Sequence, residues 1–326
     1  MTEQSESASH AEPVHRYRGA LVIVHRLVAA ILSVFTVVLA LAPIQIVAAQ
    51  ATCQYGATHR VAQIRDTAIH EASALVASQQ WPGIYWTLND AKNAPLIYAV
   101  DQDGQSRGVF RVSGASNVDW EAMQLGPDGA DGFALFVGDV GNNDLRRREM
   151  VIYRVPEPEP GPPGDMTVRE TAPATPLRFL YPVANHNTEA MLVHPKTGET
   201  MLFTKQPNGI TLIYRLPLPL DPGATMLADF LDVLDVRTRD VANKLVTDGT
   251  VSSDGTHVAL RTYAGILRYD VPAGKSLADV DWQEPRTFPL SDGVKGEGIT
   301  FKLNSNDLLT VGEEVPAALY ATDWQC

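Results

Sequence analysis

Five acids recur down this chain in one local setting. Glu71, Glu121, Glu189, Asp248 and Glu297 each lead into small residues and then an apolar run: Glu-Ala-Ser-Ala-Leu, Glu-Ala-Met-Gln-Leu, Glu-Ala-Met-Leu-Val, Asp-Gly-Thr-Val and Glu-Gly-Ile-Thr-Phe. Carboxylates brought together make a site for a hard divalent cation, calcium above all, which takes roughly six to eight oxygen ligands. Like charges at that density cannot all ionise without a counter-charge. A second set closes the next apolar run of each repeat: Asn89, Asp139, Lys205, Arg261 and Glu313, with Asp90 and Asn142 beside them. The expected cation ligands are therefore Glu71, Glu121, Asp139, Glu189, Asp248 and Glu297. Asn89, Asp90, Asn142, Lys205 and Arg261 are expected to bind a small anionic molecule, with the two cations on its phosphate or carboxylate. If the site hydrolyses phosphoesters or lactones, Glu121, Glu189 and Glu297 are the candidate carboxylates to activate water. A competing reading is structural: each acid accepts hydrogen bonds from a neighbouring strand and pins the repeats, in a non-catalytic extracellular interaction module.

Such distant residues meet only if the fold is radial. The acidic phrase returns every fifty to seventy residues or so, the signature of a repeat architecture. After it come a Gly/Asp/Asn turn, a second apolar strand and a polar loop. A third strand then carries Tyr98, Tyr153, Tyr214, Tyr269 or Tyr320. Two markers keeping step five times predict an all-β, five-bladed β-propeller. Six blades would need another hidden between 156 and 182 or between 220 and 244. Fourth strands are expected at 109–112, 177–181, 230–236 and 286–290, and the last repeat has none. Residues 60–64 precede the first acid and are expected to complete that last blade, closing the ring and covering an edge. The Pro-rich stretch 156–176 reads as an extended surface insertion in the second blade.

The ends of the chain set its compartment. Arg16, Arg18 and Arg26 precede a nearly unbroken apolar run from Leu27 to Ala42, and small residues follow Pro43. That is a signal peptide over 1–51, or an uncleaved anchor, followed by a single exported domain over 52–326. Cys53 and Cys326, the only cysteines, flank the expected closure and are expected to pair as a disulfide. A net charge of -12 argues against nucleic acid as a partner. The exported domain is read as a monomer, with membrane contact only through an uncleaved anchor.

Other chemical signals are weaker. His70 and Ser73 lack a Gly-x-Ser-x-Gly elbow, and His186 and His194 lack zinc spacing. The run Arg146-Arg147-Arg148 reads as a solvated loop.

The phrases Trp86-Thr87-Leu88-Asn89-Asp90, Asp119-Trp120-Glu121-Ala122, Val137-Gly138-Asp139-Val140-Gly141-Asn142-Asn143 and Lys295-Gly296-Glu297-Gly298 carry a resemblance. In them the chain resembles exported bacterial β-propellers of unassigned role. More distantly it resembles SdiA-regulated, phytase-like esterase and gluconolactonase propellers. The resemblance implies a calcium or other divalent ion at the channel mouth, with Glu71 matching a first-strand ligand. Asp248-Gly249 departs from the pattern of the other repeats.

Overall fold

The computed structural model describes residues 53–129, 132–239, 242–290 and 296–326. The targeting segment expected at 1–51 lies outside these residues. Among the described residues, no helix is long and apolar enough to cross a membrane.

Among the described residues the strands form five blades, each built on antiparallel hairpins. Their innermost strands are Ala72–Ala77, Trp120–Asp128, Thr188–Val193, Ala242–Val251 and Gly296–Phe301. Each lies against the next, and the fifth returns to the first, so the ring closes. Every blade then steps outward by hairpins, in the first through Ile84–Asn89, Leu96–Asp101 and Ser106–Arg111. The blades stay together because strand side chains alternate between two faces, and both faces are apolar. Leu135 and Val137 pack towards Trp86 and Ile97 of the first blade, while Phe136 packs towards Met191 and Tyr214 of the third. Five buried clusters result, one in each gap between blades.

The last blade is completed from the other end of the chain. His59–Gln63 pairs antiparallel with Ala318–Thr322, and Gln54–Tyr55 pairs with Trp324–Gln325. Cys53 and Cys326 form a disulfide beside this join, with Cα atoms 4.1 Å apart. Arg268 braces it from within. Its guanidinium donates to the Tyr55 hydroxyl at 2.7 Å and lies 4.1 Å from the centre of the Trp324 ring. A disulfide of this kind persists in a non-reducing compartment.

Two features depart from the expectation. The Pro-rich insertion is not simply an extended loop on the second blade. Its residues Asp165–Glu170 cross to the first blade and add a parallel fifth strand beside Ser106–Arg111. Glu157 anchors the crossing by accepting a 2.7 Å hydrogen bond from the buried Trp86 indole. In the fourth blade, the expected second-to-third loop at Arg261–Thr262 is almost absent. His257–Asp270 is one continuous run that doubles back on itself, with Val271 N bonded to Thr256 O and Thr262 Oγ1 to Gly265 O.

The central channel is blocked part-way. Gln124 of the second inner strand donates to the Gly249 carbonyl of the fourth at 2.6 Å, and its own side chain is buried. Second and fourth blades are not neighbours, so this bond spans the axis.

Candidate functional site

All five inner strands carry a register shift of one residue, a β-bulge, at the start of the strand in four blades and between Val246 and Asp248 in the fourth, which has a further irregularity before it. Bulges re-aim a side chain out of the pleat. The residues at the shift are Ser73, Glu121, Glu189, Thr247 and Glu297. Three of the five phrase acids therefore hold equivalent places, and two do not. Glu71 sits two residues before its bulge, half-exposed, where its carboxylate accepts from Asn93 at 2.7 Å. Asp248 sits one residue after its bulge and is fully buried, accepting from the Ile299 amide of the next blade at 2.8 Å. The ring at the mouth is thus three glutamates and two hydroxyls. The hydroxyls serve their neighbours: Ser73 donates to Glu121 at 3.0 Å, and Thr247 to the Gly296 carbonyl at 3.0 Å.

Arg261 does not reach the open mouth. It lies opposite Asp248 in the sheet register, is fully buried, and donates to the Gly298 carbonyl at 2.9 Å. The missing loop of the fourth blade is the reason, since it keeps Arg261 within the strand. Asn89 and Asn142 are committed to local structure. Asn89 accepts from the His70 and Glu71 amides and donates to Ala68 O. Asn142 accepts from the Arg147 amide and donates to Arg147 O and His186 O. Asp139 is neutralised in place by Arg147 at 2.7 Å and caps the Asp119 amide at 3.0 Å.

Lys205 takes Glu189 at 2.9 Å, and Asn187 donates to the other oxygen of that carboxylate at 2.8 Å. Burial works against the Lys205 charge. Glu189 and Glu297 outweigh it and hold the ammonium above its ordinary range. The Lys205 ammonium also lies 5.1 Å from the Tyr263 ring centre.

On the other side of the mouth, Asp90, Asp119 and Glu121 bring carboxylate oxygens within 4.8 Å of one another. Burial is the main cause that pushes all three carboxyls upward, and neighbouring acids add to it: Glu189 and Glu71 at Asp90, Asp90 at Asp119, and Glu189 and Asp90 at Glu121. Asp119 is pushed up to about 6, with Arg147 opposing the rise. Glu121 goes further up, with Glu189 as the next cause after burial and Lys205 opposing. Asp119 is not among the cation ligands that the repeat predicts. The one signal for it is nearness in sequence: Asp119 stands two residues before Glu121, in the bend that leads into the inner strand.

Glycine makes the trio possible. A Cβ on Gly141 would lie 2.4 Å from Asp119 Cγ and 2.8 Å from Glu121 Cγ. Gly141→Ala must therefore push both carboxylates aside without changing any charge. If the trio holds a cation, calorimetric titration with calcium should show affinity at least about tenfold lower in this variant while the circular dichroism spectrum is kept; a tenfold loss is about 1.4 kcal/mol.

Two clefts open from the mouth and share Asn143. One, of about 580 Å³, includes Lys205, His186 and Leu245 in its wall. The other, of about 490 Å³, includes Asp119, Lys92 and Arg146.

No protein-family model and no curated protein matches this chain. Among solved structures it is similar to the crystal structure of the Myceliophteria thermophila Cps50 (Swd1) β-propeller domain, with 13% identity and a TM-score of 0.39. That likeness covers 77% of this chain and 82% of the other. The class of the protein is that of an all-β, five-bladed propeller, as the strand pairings define it.

Proposed function

We propose that this chain is an exported propeller that binds a divalent cation at Asp90, Asp119 and Glu121. The observation that carries the reading is the cradle at Gly141, where three carboxylates are packed closely despite the cost to each. Hard oxygen donors with no sulfur or nitrogen among them suit calcium. The disulfide and the apolar N-terminal segment support export. The resemblance to metal-dependent lactonase and phosphoesterase propellers suggests hydrolysis as the activity to assay. A bound cation would supply Lewis acidity to a phosphoryl or carbonyl oxygen. Around it, Glu189 fixes Lys205 in place, and Asp139 and Arg147 hold the loop that follows the second strand.

Two of the predicted ligands, Asp139 and Asp248, have structural tasks instead. That observation favours the second reading, a non-catalytic interaction module. Calcium titration of the purified protein, with and without prior chelation, separates the two. Stoichiometric binding near one ion per chain is expected. No heat and no rise in melting temperature at millimolar calcium would remove the first reading.

A further inference from the structure

The cationic side chains in and beneath the mouth fall into two sets. Lys205, Arg261 and Arg147 are spent inside the fold, on Glu189, on the carbonyls of the fifth blade and on Asp139 respectively. Arg147 is further fixed by donating to the carbonyls of Gly141 at 2.8 Å and Asp139 at 3.1 Å. Lys92 and Arg146 are held much more loosely. Lys92 is exposed at the tip of the loop that follows Asp90, with a φ of 64°. The Arg146 side chain is 86% exposed, and its ion pair is with nearby Asp144 at 3.4 Å. Such a surface pair is worth little and opens readily.

These two loops belong to different blades, yet Lys92 and Arg146 line the same cleft, and Asp119 forms part of its wall. At about 490 Å³ the cleft suits a small molecule. Asp119 of the packed trio lines one part of it, Arg147 lines it while paired to Asp139, and Lys92, Arg146 and Asp144 complete the lining, with Arg146 and Asp144 joined by the exposed ion pair that a stronger anion can displace. An anion alone would be repelled by Asp90, Asp119 and Glu121. With a divalent cation among those carboxylates, the repulsion becomes attraction, and the two cations complete a positive enclosure.

We infer that this cleft receives an oxyanion, a phosphate or carboxylate group of a small ligand, between a cation at Asp119 and the side chains of Arg146 and Lys92. The inference rests on the cation reading above. It moves the anion away from the pair Lys205 and Arg261, and gives a task to a run of arginines that reads as merely solvated. Arg146 supplies a planar fork suited to two oxygens, and Lys92 a point charge.

The test is calorimetric titration with methyl phosphate and, separately, acetate, each with and without saturating calcium. The proteins are the wild type and the Lys92→Gln/Arg146→Gln double variant. Both positions are exposed, so the fold is not at risk. Wild type is expected to bind at least one anion when calcium is present, and the double variant to bind it about tenfold or more weakly, since charge-assisted hydrogen bonds are among the stronger ones. Calcium affinity of the double variant is expected to stay close to that of wild type. Which anion binds tells whether the ligand brings a phosphoryl or a carboxyl group. The inference is overturned if calcium binds but neither anion does, or if the double variant binds the anion as wild type does. If calcium does not bind, yet an anion does and is lost in the double variant, the cation reading falls and the cleft assignment stands.

Discussion

Asp119→Asn and Glu121→Gln are expected to make the cation-free protein more stable at neutral pH, while Glu189→Gln makes it less stable. Asp119 and Glu121 are held among like charges and away from water, which raises both carboxyls. For Asp119 the rise runs from the ordinary 3.8 to about 6. Between those values the folded chain keeps a proton that the unfolded chain has released. Stability then falls as pH increases, by about 1.4 kcal/mol per pH unit for each such proton. Below the window both states are protonated and the contribution is intact; above it the loss is complete. The Asn variant removes this slope. Glu189 differs because it is paired with Lys205 at 2.9 Å, so its neutralisation strands a half-buried ammonium. Calcium should reverse the order. A ligand at about a hundred times its dissociation constant adds about 2.7 kcal/mol, and that gain should be absent from the Asp119 and Glu121 variants. Melting curves from pH 4 to 8, with chelator and with calcium, read both effects. Equal destabilisation by all three substitutions would show a purely structural ring.

Arg261→Met is expected to cost about 1.5–3 kcal/mol, since it leaves buried carbonyls such as that of Gly298 without their charged donor. Arg261 and Asp248 face each other across the fourth blade and are both inaccessible to solvent. Burial pushes the Asp248 carboxyl well up, and Arg261 is among the groups that oppose the rise. Adding Asp248→Asn to Arg261→Met should cost less than the sum of the two single changes, because Arg261 is one of the groups that offset the burial of Asp248. Gly296→Ala offers an independent approach to the same brace. A Cβ there would lie 1.3 Å from Arg261 Nη2, so the guanidinium must move. Urea unfolding of the single and double variants measures the coupling. Additive losses in the double variant would deny that the two charges depend on each other.

The blade count could be read from the sequence because two short-range signals repeat together. Hairpin turns and alternating apolar residues are local, and the tyrosine strand repeats with the acidic phrase. The alignment of the five acids was less secure for a physical reason. The bulge that aims a side chain at the mouth depends on pairing with the next strand, and the phrase Glu-Ala hides an offset. Glu71 matches in text, but Ser73 occupies the place. Asp248 is likewise displaced by Thr247. Arg261 looked like a rim residue because the other repeats have a loop there, and only the fourth folds back tightly. The parallel strand Asp165–Glu170 pairs with residues more than fifty positions earlier, beyond any local pattern.

The hydrogen bond from Gln124 to Gly249 turns a tube into a cup. Whatever reaches the carboxylates must depart through the opening by which it came, so entry of a new molecule competes with exit of the old one. A long polymer cannot thread through and be sampled along its length. It can present only an end, or a side group, while the remainder lies across the rim on the loops that carry Lys92, Arg146 and Asn143.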